Sequence, residues 1–222
     1  GKGLRMGGDL PKQFIPMRGK PLLMHTLEAF HRWDASARII LVLPEDHQPY
    51  WNMLCKEIGC KVPHAIVKGG DTRFFSVKNG LDWLLAERRR KGEEDSGLSL
   101  VAVHDGVRPF VSPEVVEACF DKAAVTGAVI PVVPMIDSLR ETDEKGSHPV
   151  DRSRYMAVQT PQVFHLELLT KAYEQPYSSL FTDDASVVEA MGHAIDTVPG
   201  DRENIKITTP FDLLIAEAMF AR

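Results

Sequence analysis

Short runs of apolar, mostly β-branched residues alternate with longer segments of helical periodicity, and this alternation constrains the fold most strongly. The clearest run, residues 39–43, is apolar at every position. Strands without a polar face are typical of a parallel sheet that helices cover on both sides. The pattern therefore predicts an α/β fold with a doubly wound, mostly parallel sheet. Its strands are predicted at 38–43, 65–67, 98–103, 128–133, 194–198 and 205–207.

Local signals mark several helix ends. An apolar stripe over 77–85 predicts a helix, and the basic run that begins at Arg88 closes it, where cations suit the helix dipole. Ser112 before a proline predicts an N-cap, and Thr209 with an acidic residue three positions later predicts another. The polar stretch 141–149 predicts a protruding hairpin or a flexible arm.

The composition limits the classes of protein to which the chain can belong. A chain of 222 residues with 44% hydrophobic and 26% charged residues is typical of a globular protein, and we expect one domain over 1–222. The net charge of −5 gives no sign of a nucleic-acid partner. No apolar stretch approaches the roughly 18 residues of a membrane helix, so no membrane partner is expected. The three cysteines match neither a disulfide nor a zinc pattern, which favours a reducing cytoplasm.

Polar residues that could bind a ligand lie at the start of the chain and after predicted strands. Residues 1–13 combine glycines with cations, a composition that suits phosphate, although a disordered end has the same composition. Asp105 and Arg108 follow a buried strand, where ligands of open α/β sheets bind; a turn Asp and a surface Arg are the alternative. Asp71 is a candidate ligand and a candidate N-cap of the helix that carries Ser76, and the two roles can coexist.

Other catalytic patterns are missing from the sequence. It contains no G-x-S-x-G elbow and no H-E-x-x-H motif, which argues against a serine hydrolase and a zinc protease of those types. The isolated histidines and cysteines are interpreted as core or surface residues rather than ligands, and no protein side chain is assigned as a metal ligand.

Several short motifs occur in one order along essentially the whole chain. They are Gly1-x-Gly3-x-Arg5-Met6-Gly7-x3-Pro11-Lys12-Gln13, Gly69-Gly70-Asp71-x-Arg73-x2-Ser76-Val77, His104-Asp105-x2-Arg108-Pro109, Asp151-Arg152, Thr160-Pro161-Gln162, Thr182-Asp183-Asp184-Ala185-Ser186 and Asn204-Ile205-Lys206-x-Thr208. This ordered set resembles the 2-C-methyl-D-erythritol 4-phosphate cytidylyltransferase family. The resemblance implies a Rossmann-like nucleotidyltransferase fold with a β-arm at about 137–158. It also implies a reaction that couples CTP with the sugar-alcohol phosphate and releases pyrophosphate, in isoprenoid precursor synthesis.

The same resemblance implies a role for each matching residue. The implied catalytic residues are Arg5, Lys12 and Lys206. The implied CTP-binding residues are Gly1, Gly3, Arg5, Lys12, Gly69, Asp71, Ser76, Asp105, Gly106 and Lys206. The implied ligands of the acceptor phosphate are Asp105, Arg108, Ser138, Arg152, Thr182 and Lys206. Ser138 stands where the family usually has Thr, which keeps the hydroxyl. Thr182 has a second interpretation, as the N-cap of a helix that begins at Asp183.

The family resemblance further implies magnesium that bridges the CTP phosphates, and a homodimer. In that dimer the arm would bring Ser138 and Arg152 to the acceptor phosphate of the partner subunit. The family usually has a β-strand and an Ala-Ala-Gly turn before the position of Gly1, so we expect further residues upstream. A phosphate monoester, with a second pKa of about 6, is largely ionised at neutral pH, so such an enzyme needs no strong base. It needs cations that stabilise the charge on the transferred phosphoryl group.

Three alternatives remain open from the sequence. A cytidylyltransferase that uses ribitol 5-phosphate shares the fold and the CTP loop. A catalytically silent nucleotide-binding homologue would keep the fold and lose turnover, although the cations Arg5, Lys12 and Lys206 argue against it. A glycosyltransferase of related fold is less favoured because the sequence lacks a D-x-D motif in a suitable loop.

Overall fold

The computed structural model describes residues 10–93 and 99–221, in which helices and strands alternate. The helices are α1 (Leu22–Trp33), α2 (Gln48–Ile58), α3 (Arg73–Lys91), α4 (Pro113–Thr126), α5 (Leu166–Ala172), α6 (Asp184–Glu189) and α7 (Pro210–Phe220). The strands are β1 (Pro16–Met17), β2 (Lys20–Pro21), β3 (Ile40–Leu43), β4 (Ala65–Lys68), β5 (Leu100–Val103), β6 (Ala128–Pro134), β7 (Leu139–Asp143), β8 (Gly146–Val150), β9 (Met156–Val158), β10 (Gln162–His165) and β11 (Asp196–Pro199). This order confirms the predicted α/β class.

The largest sheet has the strand order β11-β6-β10-β5, and β9 also pairs with β6. β11 runs parallel to β6, whereas β10 is antiparallel to both β6 and β5, so the sheet is mixed. β3 and β4 form a separate parallel pair, with Leu41 opposite Ile66. Strand β10 was not predicted from the sequence. The predicted strand at 205–207 is wrong: this segment is held by a hydrogen bond from Ile207 N to Val107 O, at 3.0 Å, outside any strand.

Strand β10 shows why both faces of the sheet are apolar. Phe164 packs into a cluster with Phe74 and Leu169, from the helices on one side. The neighbouring Val163 points the other way, into a cluster with Val116 of α4. Neither Phe164 nor Val163 has measurable exposure, and full burial of such side chains contributes about 1.5–3 kcal/mol each. Helices therefore cover this sheet on both faces, as predicted.

Side-chain caps start four of the helices. The predicted caps of α4 and α7 are confirmed: Ser112 Oγ accepts from Val115 N at 3.3 Å, and Thr209 Oγ1 accepts from Asp212 N at 3.2 Å. The other two predicted caps are each wrong by one residue, because the helices begin one position later. Thr72 rather than Asp71 caps α3, and Asp183 rather than Thr182 caps α6.

The polar stretch 141–149 lies within a two-stranded hairpin of β7 and β8. Its tip is closed by Asp143 Oδ1, which accepts from Lys145 N at 2.8 Å, and by Gly146 with φ of 131°. Within the segment 137–158, the hairpin is followed by β9, which pairs with β6 of the largest sheet. No helix in the described ranges is long and apolar enough to cross a membrane.

Candidate active site

A cluster of one carboxylate and two cations lies just beyond the carboxyl end of β5. Asp105 Oδ2 is 3.0 Å from Lys206 Nζ and 3.3 Å from Arg108 Nε. Burial opposes the charge of Asp105, but Lys206, with Arg73 and Arg108, outweighs it and lowers the pKa of the carboxyl below its usual value. Asp105 is therefore ionised at neutral pH and acts as a hydrogen-bond acceptor and an anchor for cations rather than as a base.

Arg108 joins the loop after β5 to the segment that carries Lys206. Its Nη1 donates to the carbonyl oxygen of Asn204 at 2.7 Å, and the side chain is largely buried. Burial lowers the pKa of Arg108, and Asp105 opposes that effect; an arginine remains protonated at neutral pH in either case. Asn204 is itself fully buried and donates from Nδ2 to the carbonyl oxygen of Thr160 at 2.9 Å. This network holds Lys206 beside Asp105.

The His104 ring forms hydrogen bonds that stabilise the same loop after β5. Its Nε2 lies 3.0 Å from the carbonyl oxygen of Arg108, and its Nδ1 lies 3.1 Å from Thr160 Oγ1. Because a carbonyl only accepts, Nε2 carries the proton and Nδ1 accepts from the Thr160 hydroxyl. Thr160 Oγ1 in turn accepts from Asp105 N at 3.1 Å. Burial lowers the pKa of His104 to about 4, so the imidazole is neutral, as this pattern requires.

A glycine loop follows β4, the strand that runs parallel to β3. At Gly70 a Cβ atom would lie 2.4 Å from Phe75 Cβ, so only glycine fits this turn. Ser76 Oγ accepts from Gly70 N at 3.1 Å and donates to the carbonyl oxygen of Thr72 at 2.9 Å. Ser76 thus closes the loop, and Asp71 stands exposed on it. The structure therefore places the predicted residues Gly69, Asp71 and Ser76 in one turn at the start of α3.

The N-terminal candidates are only partly described. Gly1, Gly3 and Arg5 lie outside the described residues. Lys12 is the first residue of a short 3-10 turn, Lys12–Phe14. The next residue, Gln13, is buried, and its Nε2 donates to His47 Nδ1 at 3.1 Å. Lys12 is therefore carried on a turn that is anchored in the core.

The remaining predicted ligands do not contact the Asp105 cluster. Ser138 lies exposed just before β7, and Arg152 lies just after β8, where its Nη1 donates to the carbonyl oxygen of Ile136. Thr182 is exposed, and its backbone N donates to Ser186 Oγ at 3.1 Å. In the described part of the chain, no hydrogen bond or ion pair joins these three side chains to Asp105. Gly106, by contrast, directly follows Asp105, and its carbonyl accepts from Thr26 Oγ1 at 3.0 Å.

Sequence reasoning missed a second charged cluster beside this site. Arg73 donates from Nη1 and Nη2 to both carboxylate oxygens of Asp184, at 3.0 and 2.5 Å. Tyr173 Oη donates to Asp184 Oδ1 at 2.6 Å. Arg73 and Asp184 both stand inside motifs quoted above, which was the available signal. His104 stands in such a motif too, but no role in the site was predicted for it.

The described residues offer a magnesium ion few protein ligands, so such an ion would be held mainly by substrate. Within 10–93 and 99–221, no three or more His, Cys, Asp or Glu side chains converge on a common point. The cluster offers the single carboxylate of Asp105, whose Oδ2 already faces two cations. Magnesium in such sites usually takes one or two carboxylates and completes its shell with phosphate oxygens and water.

Comparison with known proteins identifies the family. The family model for IspD, 2-C-methyl-D-erythritol 4-phosphate cytidylyltransferase, matches residues 1–222. The chain belongs to this family. The 2-C-methyl-D-erythritol 4-phosphate cytidylyltransferase of Bacteroides fragilis is 55% identical over 219 residues, which cover 99% of this chain and 95% of that one. The Porphyromonas gingivalis protein of the same name is 51% identical over 221 residues and covers 99% and 93%.

Solved structures agree with the IspD assignment. The Thermus thermophilus 2-C-methyl-D-erythritol 4-phosphate cytidylyltransferase is 32% identical, with a TM-score of 0.73 over 96% of this chain and 94% of that one. The 4-diphosphocytidyl-2C-methyl-D-erythritol synthase of Anaerococcus prevotii is 27% identical, with a TM-score of 0.78 over 98% and 93%. The family resemblance and the Rossmann-like nucleotidyltransferase fold are thereby confirmed, and the chain is a nucleotidyltransferase.

Proposed function

We propose that the protein transfers the cytidylyl group of CTP to 2-C-methyl-D-erythritol 4-phosphate, which gives 4-diphosphocytidyl-2-C-methyl-D-erythritol and pyrophosphate. The observation that carries the proposal is the cluster of Asp105, Arg108 and Lys206 at the end of β5, in a chain of the IspD family. The cluster supplies positive charge and no general base, which is what attack by an ionised phosphate requires.

In the proposed reaction an oxygen of the acceptor phosphate attacks the α-phosphorus of CTP. The new P–O bond forms as the bond to the β-phosphate oxygen breaks, and pyrophosphate leaves with the electron pair. Arg5, Lys12 and Lys206 stabilise the charge that builds on the α-phosphoryl oxygens. Lys206 is prepared for this role because Asp105 holds its ammonium group at 3.0 Å before any substrate arrives. Magnesium would accompany CTP and neutralise part of the phosphate charge.

The substrate contacts in the proposal follow the family assignment. CTP is bound by Gly1, Gly3, Arg5, Lys12, Gly69, Asp71, Ser76, Asp105, Gly106 and Lys206. The acceptor phosphate is bound by Asp105, Arg108, Ser138, Arg152, Thr182 and Lys206. Arg108 contributes mainly by holding Asp105 and Asn204, because both contacts are already made in the described structure.

We also propose that residues 1–222 form one domain and that the arm, 137–158, joins two copies in a cytoplasmic homodimer. Apolar side chains lie exposed at the base of the arm and along β9, and such patches mark contact surfaces. They are Ile136, Tyr155, Met156 and Val158. Ser138 and Arg152 flank this patch and would reach the acceptor site of the partner. The free thiols of Cys55, Cys60 and Cys119 suit a reducing compartment.

The test is pyrophosphate release from CTP and magnesium, with methylerythritol 4-phosphate and ribitol 5-phosphate offered separately. We expect release with the first acceptor. Lys12→Ala and Lys206→Ala should each lower turnover about 100-fold, as for the loss of one preorganised charge or donor. Lys56→Ala, on the exposed side of α2, is the matched control and should retain activity.

Each other outcome overturns a defined part of the proposal. Preference for ribitol 5-phosphate would keep the mechanism and replace the substrate. Binding of CTP without pyrophosphate release from either acceptor would identify a silent nucleotide-binding homologue. Near-normal turnover of both lysine variants would remove their catalytic roles.

A further inference from the structure

One buried carboxylate joins two loops that carry proposed substrate ligands. Arg73 is the first residue of α3 and follows the glycine loop on the nucleotide side. Asp184 is the first residue of α6 and follows Thr182 on the acceptor side. The two side chains are joined by a bidentate contact with N···O distances of 3.0 and 2.5 Å. A bidentate pair fixes both the distance and the relative orientation of the groups it joins.

Asp184 is a rigid anchor for this contact. It has no measurable exposure, and its carboxylate also accepts from Tyr173 Oη at 2.6 Å. The backbone N atoms of Asp184 and Ala185 both donate to Gln162 Oε1 at 3.0 Å, which attaches the start of α6 to strand β10. A buried charge is stable only when it is paired and hydrogen-bonded, so the Asp184 carboxylate holds the Arg73 guanidinium in one geometry.

The hydrogen-bond network around Asp184 extends to Thr182. Gln162 Nε2 donates to Asp183 Oδ2 at 2.8 Å, and Asp183 Oδ1 caps α6 by accepting from Ser186 N at 2.9 Å. Ser186 Oγ then accepts from Thr182 N at 3.1 Å. The acceptor-side loop is therefore continuous, through hydrogen bonds, with the carboxylate that binds Arg73.

Arg73 also lies within electrostatic range of the Asp105 cluster. Burial opposes its charge, but Asp184 outweighs burial and raises the pKa of the guanidinium, so Arg73 is permanently charged. Arg73 contributes to the lowered pKa of Asp105, which places its charge within electrostatic range of the cluster that holds Lys206. Its side chain retains 37% exposure, in contrast to the fully buried Asp184.

We propose that Arg73 is a positioning residue: its bidentate contact with Asp184 holds the glycine loop before α3 and the loop that carries Thr182 before α6 at one separation, so that CTP and acceptor phosphate meet in line. The inference rests on the function proposed above. In-line transfer requires the reacting atoms to be about 3–3.5 Å apart, and a displacement of about 1 Å costs roughly 100-fold in rate. A contact between the starts of two helices controls this separation without touching the reacting atoms.

The test compares Arg73→Lys, Arg73→Gln and the double variant Arg73→Gln/Asp184→Asn. Lysine keeps the charge but cannot form the planar bidentate contact. We expect Arg73→Lys to lower kcat about tenfold, while the KM for CTP changes by less than about threefold. Arg73→Gln should be worse, since it leaves Asp184 without its cation. The double variant removes both charges and should lose no more kcat than Arg73→Gln alone, because both residues act through one contact.

Tyr173→Phe is the matched control, since it removes one hydrogen bond to Asp184 and leaves the link between the loops intact. It should lower thermal stability and keep kcat within about twofold of the parent. If Arg73→Gln fails to fold, Arg73→Lys and the neutral double variant still decide the question.

Two results would overturn the inference while the proposed function stands. One is an unchanged kcat in the Arg73 variants when the wild-type protein releases pyrophosphate. The other is variants whose melting temperature falls while their kinetics below it match the parent, which would make the pair a purely structural one. A wild-type protein that releases no pyrophosphate would overturn the proposed function itself, and the inference with it.

Discussion

Acidification should destabilise the protein through one buried imidazole, His104. In the folded chain its Nδ1 accepts from the Thr160 hydroxyl and its Nε2 donates to the carbonyl oxygen of Arg108. A protonated ring would carry a hydrogen on Nδ1 as well, so it could no longer accept there. Burial disfavours the charged ring and lowers the pKa of His104 from 6.5 to about 4, so the folded state excludes the proton.

The sign and size of the effect follow from proton linkage. Between pH 6.5 and pH 4 the unfolded chain binds a proton at His104 that the folded chain does not bind, so the free energy of unfolding falls as pH falls. The change is at most about 1.4 kcal/mol per pH unit. It begins near pH 6.5, reaches about 2 kcal/mol at pH 5, and levels off near pH 4.

The assay is urea unfolding at pH 8 and at pH 5, where most carboxylates still remain ionised. We compare the wild-type protein with His104→Gln, which keeps polarity at this position but does not titrate. The loss of stability between the two pH values should be about 2 kcal/mol larger in the wild type than in the variant. His148→Gln, at an exposed histidine of the hairpin, controls for the removal of an imidazole in general. Equal pH dependence in the wild type and His104→Gln would refute the assignment of this network.

Two further perturbations test the glycine loop and the arm. Gly70→Ala places a Cβ atom 2.4 Å from Phe75 Cβ, so we expect a loss of about 1–3 kcal/mol in urea unfolding and weaker CTP binding by calorimetry. Unchanged stability would show that the loop relaxes freely. Replacement of residues 141–149 by a short glycine linker should weaken dimerisation or acceptor use, measured by sedimentation and by the KM for the acceptor. A dimer with unaltered kinetics would remove the proposed role of the arm.

Elements with strong local signals could be predicted from sequence. Strands β3, β4 and β6 lie within two residues of the predicted bounds, because short apolar runs rich in β-branched residues favour buried strands. The caps Ser112 and Thr209 were predicted because capping depends on residues within one turn. At α3 and α6 two adjacent residues could each cap, and the backbone conformation decides between them. Strand β10 has a polar residue at each end and only two apolar residues between them, so it lacks a continuous apolar run, and its pairs come from distant strands.

The residues of the site could be predicted from the sequence, but the contacts between them could not. The motifs singled out Asp105, Arg108 and Lys206, and the structure brings these three together. No local pattern indicates that Arg73 and Asp184, which are 111 positions apart, share a bidentate contact. Nor does a pattern show that His104 lies between Thr160 and the backbone of Arg108.

Local periodicity and ordered motifs are enough to establish the family, the α/β class and the residue types available for phosphate chemistry. Tertiary packing is needed to establish which charges face each other, which imidazole stays neutral and which loops are joined. Hydrogen bonds and pKa shifts depend on distances of a few ångströms and on burial, and both are set by packing between segments far apart in the chain.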